Sequence, residues 1–180
     1  FNGKTILEIV TFLKLEYKLN STIAELLGDY KARVTGIYSE VDLLPSCREF
    51  LELCRWMNIP VAIASANNGI NVNLVLDRFD LGHLFDFIVS SEDVQFGKPH
   101  PETYQLIHNY FGECHFLVVD DSIHGLRGAL NSGMQVNPIL FGSESFDSEH
   151  ECVNDFTQLG ILLSYWIMKE VDLTSVSSFV

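Results

Sequence analysis

A serine, a lysine and a pair of carboxylates stand at three points of this 180-residue chain where their neighbours give them a direction. Ser65 ends the apolar run 61–64 and leads into Ala66, Asn67, Asn68 and Gly69. Lys98 lies in Gly97-Lys98-Pro99-His100-Pro101-Glu102, and Asp120-Asp121 follow the apolar run 116–119 and precede Ser122. An apolar run that opens into polar groups is the pattern of a buried parallel strand whose C-terminal end faces a site. In open α/β sheets that edge is where ligands bind. A hydroxyl, a cation and two carboxylates gathered there suit metal-assisted handling of a phosphate.

Each group has a plainer alternative. After a strand and before a helix, the backbone N–H groups of Ser65, Ala66 and Asn67 favour an anion, with the Ser65 hydroxyl and the Asn67 amide as added donors. Yet Asn and Gly are also ordinary turn residues. Lys98 is held by two prolines and a glycine, so it has a defined direction and can neutralise a phosphoryl oxygen as a point charge; the alternative is a solvated lysine. Adjacent carboxylates behind a buried run are costly unless neutralised. Mg2+ does this with one or two carboxylates, waters and a phosphate. Asp121 or Ser122 can also simply cap the next helix, and both roles are compatible.

The elements that must position these groups follow from periodicity and capping. Residues 5–19 place Ile6, Ile9, Val10, Leu13 and Tyr17 at helical spacing. Thr22, with Glu25 three residues on, forms a capping box for a second helix to about residue 38. Neither helix adjoins a strand signal, so the pair is expected as a separate small layer. Beyond residue 41 the spacing predicts a helix to 57 with Pro45 in its first turn, strand 61–65, helix 70–79, strand 87–90, helix 101–111, strand 115–120 and helix 122–130. Segment 134–140 reads as an edge strand because Pro138 interrupts it. Asp155 is expected to cap a last helix to about 171, and 172–180 reads as a disordered tail. Alternating strands and helices with short loops imply an α/β fold with a parallel, doubly wound sheet.

Bulk properties narrow the function. Apolar residues make up 47% of the chain, enough for a sizeable core. A net charge of −13, from 11 basic and 24 acidic residues, argues against a nucleic-acid or anionic-membrane surface. An anionic substrate would need local help from a metal ion and a lysine. Cys47, Cys54, Cys114 and Cys152 form no CxxC pair or zinc spacing, so a reducing, cytoplasmic setting is expected. Cys47 and Cys54, seven apart, read as core thiols on one helix face. No apolar run reaches the ~18 residues of a membrane span. Trp56 and Trp166 read as packing residues, and Gly125 and Gly128 as glycines that let a helix approach the sheet. His100 is near Lys98 but reads as exposed, and the other histidines show no paired ligand spacing.

Taken in order, Ser65, Lys98 and Asp120-Asp121 resemble the second, third and fourth motifs of the haloacid dehalogenase superfamily. The subgroup with a small helical cap, which includes β-phosphoglucomutase-like phosphatases, is most similar; "GKPHPE", "VVDDS" and Gly133-Met134 share its pattern, and the resemblance covers about residues 1–160. It implies a partial cap over 1–40, a core over 41–171 and a tail over 172–180. It also implies a Mg2+-dependent phosphatase acting on a small phosphorylated metabolite, with Ser65, Ala66, Asn67 and Lys98 on the phosphate and Asp120 and Asp121 on the metal. A monomer is expected.

The family's DxD motif, whose first aspartate attacks phosphorus and whose second is the general acid and base, occurs nowhere in this chain. The resemblance implies that it lies before Phe1, in a segment on the order of 50 residues holding a central strand and the first part of the cap. Without that strand a gap in the sheet is expected. The 1–5 stretch resembles a cap segment that approaches substrate. A phosphohexomutase of the same family is one alternative, with Lys4, Lys31 or Arg33 as candidates for a second phosphate; a catalytically inactive module binding a phospho-ligand or protein is another. A two-component receiver domain also gathers hydroxyl, lysine and carboxylates around Mg2+, but with the acidic pair first and the lysine last, the reverse of the order here.

Overall fold

The computed structural model describes residues 6–142 and 151–173. Two helices come first, α1 (Ile6–Glu16) and α2 (Ile23–Glu40). The expected capping box starts α2: Glu25 N–H donates to the Thr22 hydroxyl at 3.2 Å, and the Glu25 carboxylate accepts from Thr22 N–H at 2.7 Å. Then follow α3 (Cys47–Trp56), β1 (Ala62–Ala64), α4 (Gly69–Arg78), β2 (Phe87–Val89), α5 (Glu102–Phe111), β3 (His115–Asp120), α6 (Ile123–Leu130), β4 (Gln135–Phe141), β5 (Glu151–Val153) and α7 (Phe156–Leu173). Pro45 falls before α3 rather than in its first turn, because Ser46 turns left-handed (φ 61°) at the N-cap. Asp155 caps α7 as expected, its carboxylate accepting from Gln158 N–H at 2.8 Å.

Every strand pairing is parallel, and helices cover both faces. Ala62, Ala64, Phe87, Val89, Phe116, Val118 and Leu140 point to one side, where they pack on Tyr104 and Ile107 of α5 and Leu126 and Ala129 of α6. The intervening residues face the other way: Ile63 and Ile88 meet Leu51 of α3 and Leu76 of α4, while Val119 and Ile139 meet Leu159 of α7. This period of two is what a strand buried on both faces requires.

The strands fall into two hydrogen-bonded groups, β1-β2 and β3-β4-β5. A single core runs beneath both groups, yet among the described residues β1 and β3 do not bond to each other. The expected interruption of the sheet is therefore present, between the strand that ends at Ala64 and the strand that ends at Asp120.

Three expectations need correction. Segment 134–140 is no edge strand: β4 lies between β3 and β5. Pro138 is accommodated because the ladder with β5 begins at Ile139, one residue later. The sequence offers little sign of β5, three residues long. Trp56 is not a packing residue; at the last turn of α3 it is 80% exposed, whereas Trp166 does pack against the α7 core. Gly125 does let α6 approach the sheet, at Asp120, the last residue of β3, whereas Gly128 faces Tyr104 of α5 rather than a strand. Cys54 is buried and Cys47 half-buried, as expected of core thiols. Burial pushes the Cys54 thiol up to about 11. Residues 1–5, with Lys4, and most of the expected tail lie outside the described residues.

Candidate active site

The three sequence segments meet at one edge of the strands, and Lys98 is the piece that joins them. Its Nζ donates to the carbonyl of Ala64, the last residue of β1, at 2.9 Å. It also donates to Oδ2 of Asp120, the last residue of β3, at 2.7 Å. Both side chains of the ion pair are nearly buried, 14% and 10% exposed. An ammonium has three N–H donors, so one remains for a ligand. The Lys98 loop is fixed from below: the Glu102 carboxylate accepts from the N–H groups of Gln95 (2.9 Å) and Phe96 (2.8 Å). His100 is exposed, as expected, with its ring against Phe96.

Asp120 is surrounded by donors. Oδ1 accepts from the Ser122 N–H at 2.9 Å and the Ser122 hydroxyl at 2.7 Å; Oδ2 also accepts from the Tyr104 hydroxyl at 3.3 Å. Burial alone would raise the Asp120 carboxyl. The Lys98 charge and hydrogen bond, followed by the Ser122 bonds, outweigh burial and hold it below the usual carboxylate range. Burial, then the Asp120 charge, push the Tyr104 phenol far above its ordinary value, so it stays a proton donor. The carboxylate also dictates Gly125: a Cβ there would lie 2.0 Å from the Asp120 carboxyl carbon. At Gly128 a Cβ would come within 3.2 Å of the Tyr104 ring. Both glycines therefore make room for the site's carboxylate and its phenol partner.

Asp121, by contrast, is exposed, and among the described residues its carboxylate makes no hydrogen bond or ion pair. Ser122 caps α6, its hydroxyl accepting from Gly125 N–H at 3.1 Å. Capping thus falls to Ser122, and the Asp121 carboxylate takes no part in it. Among the described residues no group of three or more His, Cys, Asp or Glu is placed to hold a metal. The donor set fits a hydrated Mg2+ held by the Asp121 carboxylate and completed by water and phosphate, which is how that ion is usually bound.

The hydroxyl end is less saturated. Ser65 Oγ accepts from the Asn67 N–H at 3.0 Å, which leaves its own proton to give. Among the described residues the Ala66 N–H is committed to no bond. The turn is held by Ser65 N–H to Val89 O (2.8 Å), Ser91 N–H to Asn67 O (2.9 Å) and Gly69 N–H to the Glu92 carboxylate (3.1 Å). Asn68 caps α4 by accepting from Asn71 N–H at 2.9 Å. The Asn67 amide donates to the Tyr38 hydroxyl of α2 at 2.6 Å.

Residues 1–139 match the family model described as haloacid dehalogenase-like hydrolase. The chain belongs to this family. Among curated relatives it is similar to hexitol phosphatase B of Escherichia coli (strain K12), 38% identical over 74 residues that cover 41% of this chain and 33% of that protein. It is also similar to 6-phosphogluconate phosphatase of the same organism, 23% identical over 181 residues, 97% of this chain and 80% of that one. The match thus spans a third of the first relative and four-fifths of the second. Among solved structures, β-phosphoglucomutase from Clostridium difficile superposes with a TM-score of 0.74 at 18% identity, covering 95% of this chain and 80% of that one. That likeness establishes the shared α/β fold.

Sequence reasoning missed Tyr104, Tyr38 and the part Ser122 plays at Asp120. Tyr104 reads as one more apolar position beside Ile107, three residues on, and Tyr38 lies 29 residues from its partner Asn67. The reason for Gly125 is the carboxylate five residues earlier, which α6 meets only because it lies against the end of β3.

Proposed function

We propose that this chain carries the phosphate- and metal-binding half of a Mg2+-dependent phosphatase for a small phosphorylated metabolite of the sugar-phosphate kind. Lys98, bonded at once to the end of β1 and the end of β3, is the observation that carries the reading. It puts one cation between the hydroxyl loop and the carboxylate loop. The Ser65 hydroxyl, the Ala66 N–H and the third Lys98 proton are the donors for phosphoryl oxygens, with Asn67 beside them. Asp121, backed by Asp120, holds the metal; Mg2+, when bound, supplies positive charge against the phosphoryl oxygens. Residues 1–40 act as part of a cap over a core of 41–171.

The attacking carboxylate is not among these groups. Asp120 is spent on Lys98, Ser122 and Tyr104, and among the described residues the Ser65 hydroxyl bonds only to the Asn67 N–H, with no base beside it. The break between β1 and β3 supports a further strand bringing that carboxylate in, with the family's DxD pattern, from before Phe1. The names of relatives, a hexitol phosphatase and a 6-phosphogluconate phosphatase, support a polyol or sugar acid phosphate as substrate. The setting is expected to be cytoplasmic and the protein a monomer; among the described residues no helix is long and apolar enough to cross a membrane.

The test has two parts. Lys98→Ala should weaken orthophosphate or vanadate binding by about 1.5–3 kcal/mol, the worth of a charge-assisted hydrogen bond. A chain extended upstream should hydrolyse an aryl phosphate with Mg2+ and stop with EDTA, while residues 1–180 alone should not. Robust EDTA-sensitive turnover by residues 1–180 would overturn this mechanism. An inactive but folded extended chain that still binds a phospho-ligand would favour the binding module.

A further inference from the structure

Tyr38 stands in the last turn of α2, where the chain passes from the helical pair to the strands. Arg78, at the end of α4, donates to the carbonyls of Tyr38 (3.3 Å) and Val41, so the passage is tied down at Tyr38 and just after it. The phenol oxygen accepts the Asn67 side-chain N–H at 2.6 Å. A hydroxyl has one proton to give. With Asn67 donating to the oxygen, that proton has to point elsewhere, and among the described residues it has no acceptor.

Beside it lies a cavity of about 190 Å³. Tyr38, Ser65, Asn67 and Asn71 give it polar groups, and aliphatic side chains including Ile63 and Val72 form the rest. None of its lining residues carries a charge. A second phosphate placed there would be desolvated with no counter-charge, which is strongly unfavourable. A neutral carbon chain bearing hydroxyls suits both kinds of wall: C–H groups against the aliphatic side chains, oxygens against the hydroxyls and amides.

We propose that Tyr38 is a specificity-determining residue whose hydroxyl, oriented by Asn67, donates to a hydroxyl oxygen on the carbon portion of a monophosphorylated polyol whose phosphate lies at Ser65. This rests on the phosphate site assigned above. It makes the end of the helical pair a direct reader of the substrate, and it favours a monophosphate over a bisphosphate.

Calorimetric titrations with orthophosphate, a hexitol 6-phosphate and a hexitol bisphosphate, in Mg2+, separate the possibilities. Tyr38→Phe keeps the ring and loses only the hydroxyl. The ratio of hexitol phosphate affinity to orthophosphate affinity should fall by about fivefold to tenfold, the range of one hydrogen bond. A ratio unchanged within about twofold would overturn the proposal, as would equal weakening of both ligands, the sign of a merely structural contact. Tighter binding of the bisphosphate than of the monophosphate would also overturn it. Lys98→Ala tests the underlying site: loss of orthophosphate binding supports it. Retention would overturn the phosphate site and this inference together, whereas an unchanged Tyr38→Phe ratio overturns this inference alone.

Discussion

The two ends of the site are built on opposite plans. At the end of β3, the Asp120 carboxylate is nearly buried and answered by Lys98, Ser122 and Tyr104, with Gly125 trimmed to make room. At the end of β1, the Ser65 hydroxyl and the Ala66 N–H keep unspent donors beside a cavity. The Asp120 carboxylate is satisfied from within the chain, whereas the hydroxyl end keeps donors still to give. The two differ in what a mutation should reveal: the first should report mainly on stability, the second mainly on binding.

The largest effect is expected at the joint between them. Lys98→Ala leaves the Asp120 charge buried without its cation, and breaking a buried pair costs about 3 kcal/mol or more. Urea unfolding should show a midpoint shift of that size. A shift under about 1 kcal/mol would mean that the acidic end is not the closed structure drawn here. Lys98→Met combined with Asp120→Asn should recover much of the loss, because no unpaired charge remains.

Gly125→Ala comes next. Its Cβ falls on the Asp120 carboxylate, so either the side chain or α6 must move, at about 1–3 kcal/mol. If the thermal midpoint is unmoved, the close approach of α6 to Asp120 is wrong.

A smaller effect is expected from pH. The folded Asp120 carboxyl lies below its ordinary 3.8, so its contribution is fully present above that value and is lost as pH falls through the folded value. Acid unfolding should therefore steepen below about pH 4 in the wild type. In Lys98→Ala the chief lowering influence is gone and burial pushes the other way, so the acid-side loss should shrink. Equal acid slopes for the two proteins would remove Asp120 from the explanation.

The smallest stability changes belong to the open groups. Ser65→Ala and Asp121→Asn should each stay within about 0.5 kcal/mol of the wild type in unfolding, as half-open or exposed positions do. Ser65→Ala should nevertheless weaken orthophosphate, and Asp121→Asn should weaken Mg2+ in calorimetry. A Mg2+ affinity untouched by Asp121→Asn would end the metal assignment.

How much of this was legible beforehand follows the same division. Chemistry carried by local spacing could be read: the capping box at Thr22, the cap at Asp155 and the strand ends at Ser65 and Asp120 all depend on residues within a few positions. The interrupted sheet was also expected, through the DxD strand that the family resemblance implies lies before Phe1. Features that depend on distant neighbours could not be read. Pro138 suggested an edge because proline lacks a ladder donor, yet β5 pairs one residue beyond it. Trp56 suggested a core by its size, but the turn at Asn58 (φ 55°) follows it at once and it stays exposed. Asp120 and Asp121 looked equivalent in the sequence. Only the reach of Lys98 from its loop and Tyr104 from α5 makes one of them internal and the other available.

Phe50 of α3 gives the interrupted sheet a mechanical character. Its ring packs with the Leu51–Leu76 core under β1-β2 and with the Ile139–Leu159 core under β3-β4-β5, 5.6 Å from the Phe156 ring. Where backbone hydrogen bonds do not cross, side chains carry the load between the halves. The chain should accordingly open in two stages by native-state hydrogen exchange once that rivet is loosened: in Phe50→Ala the amides of β1-β2 should exchange well before those of β3-β4.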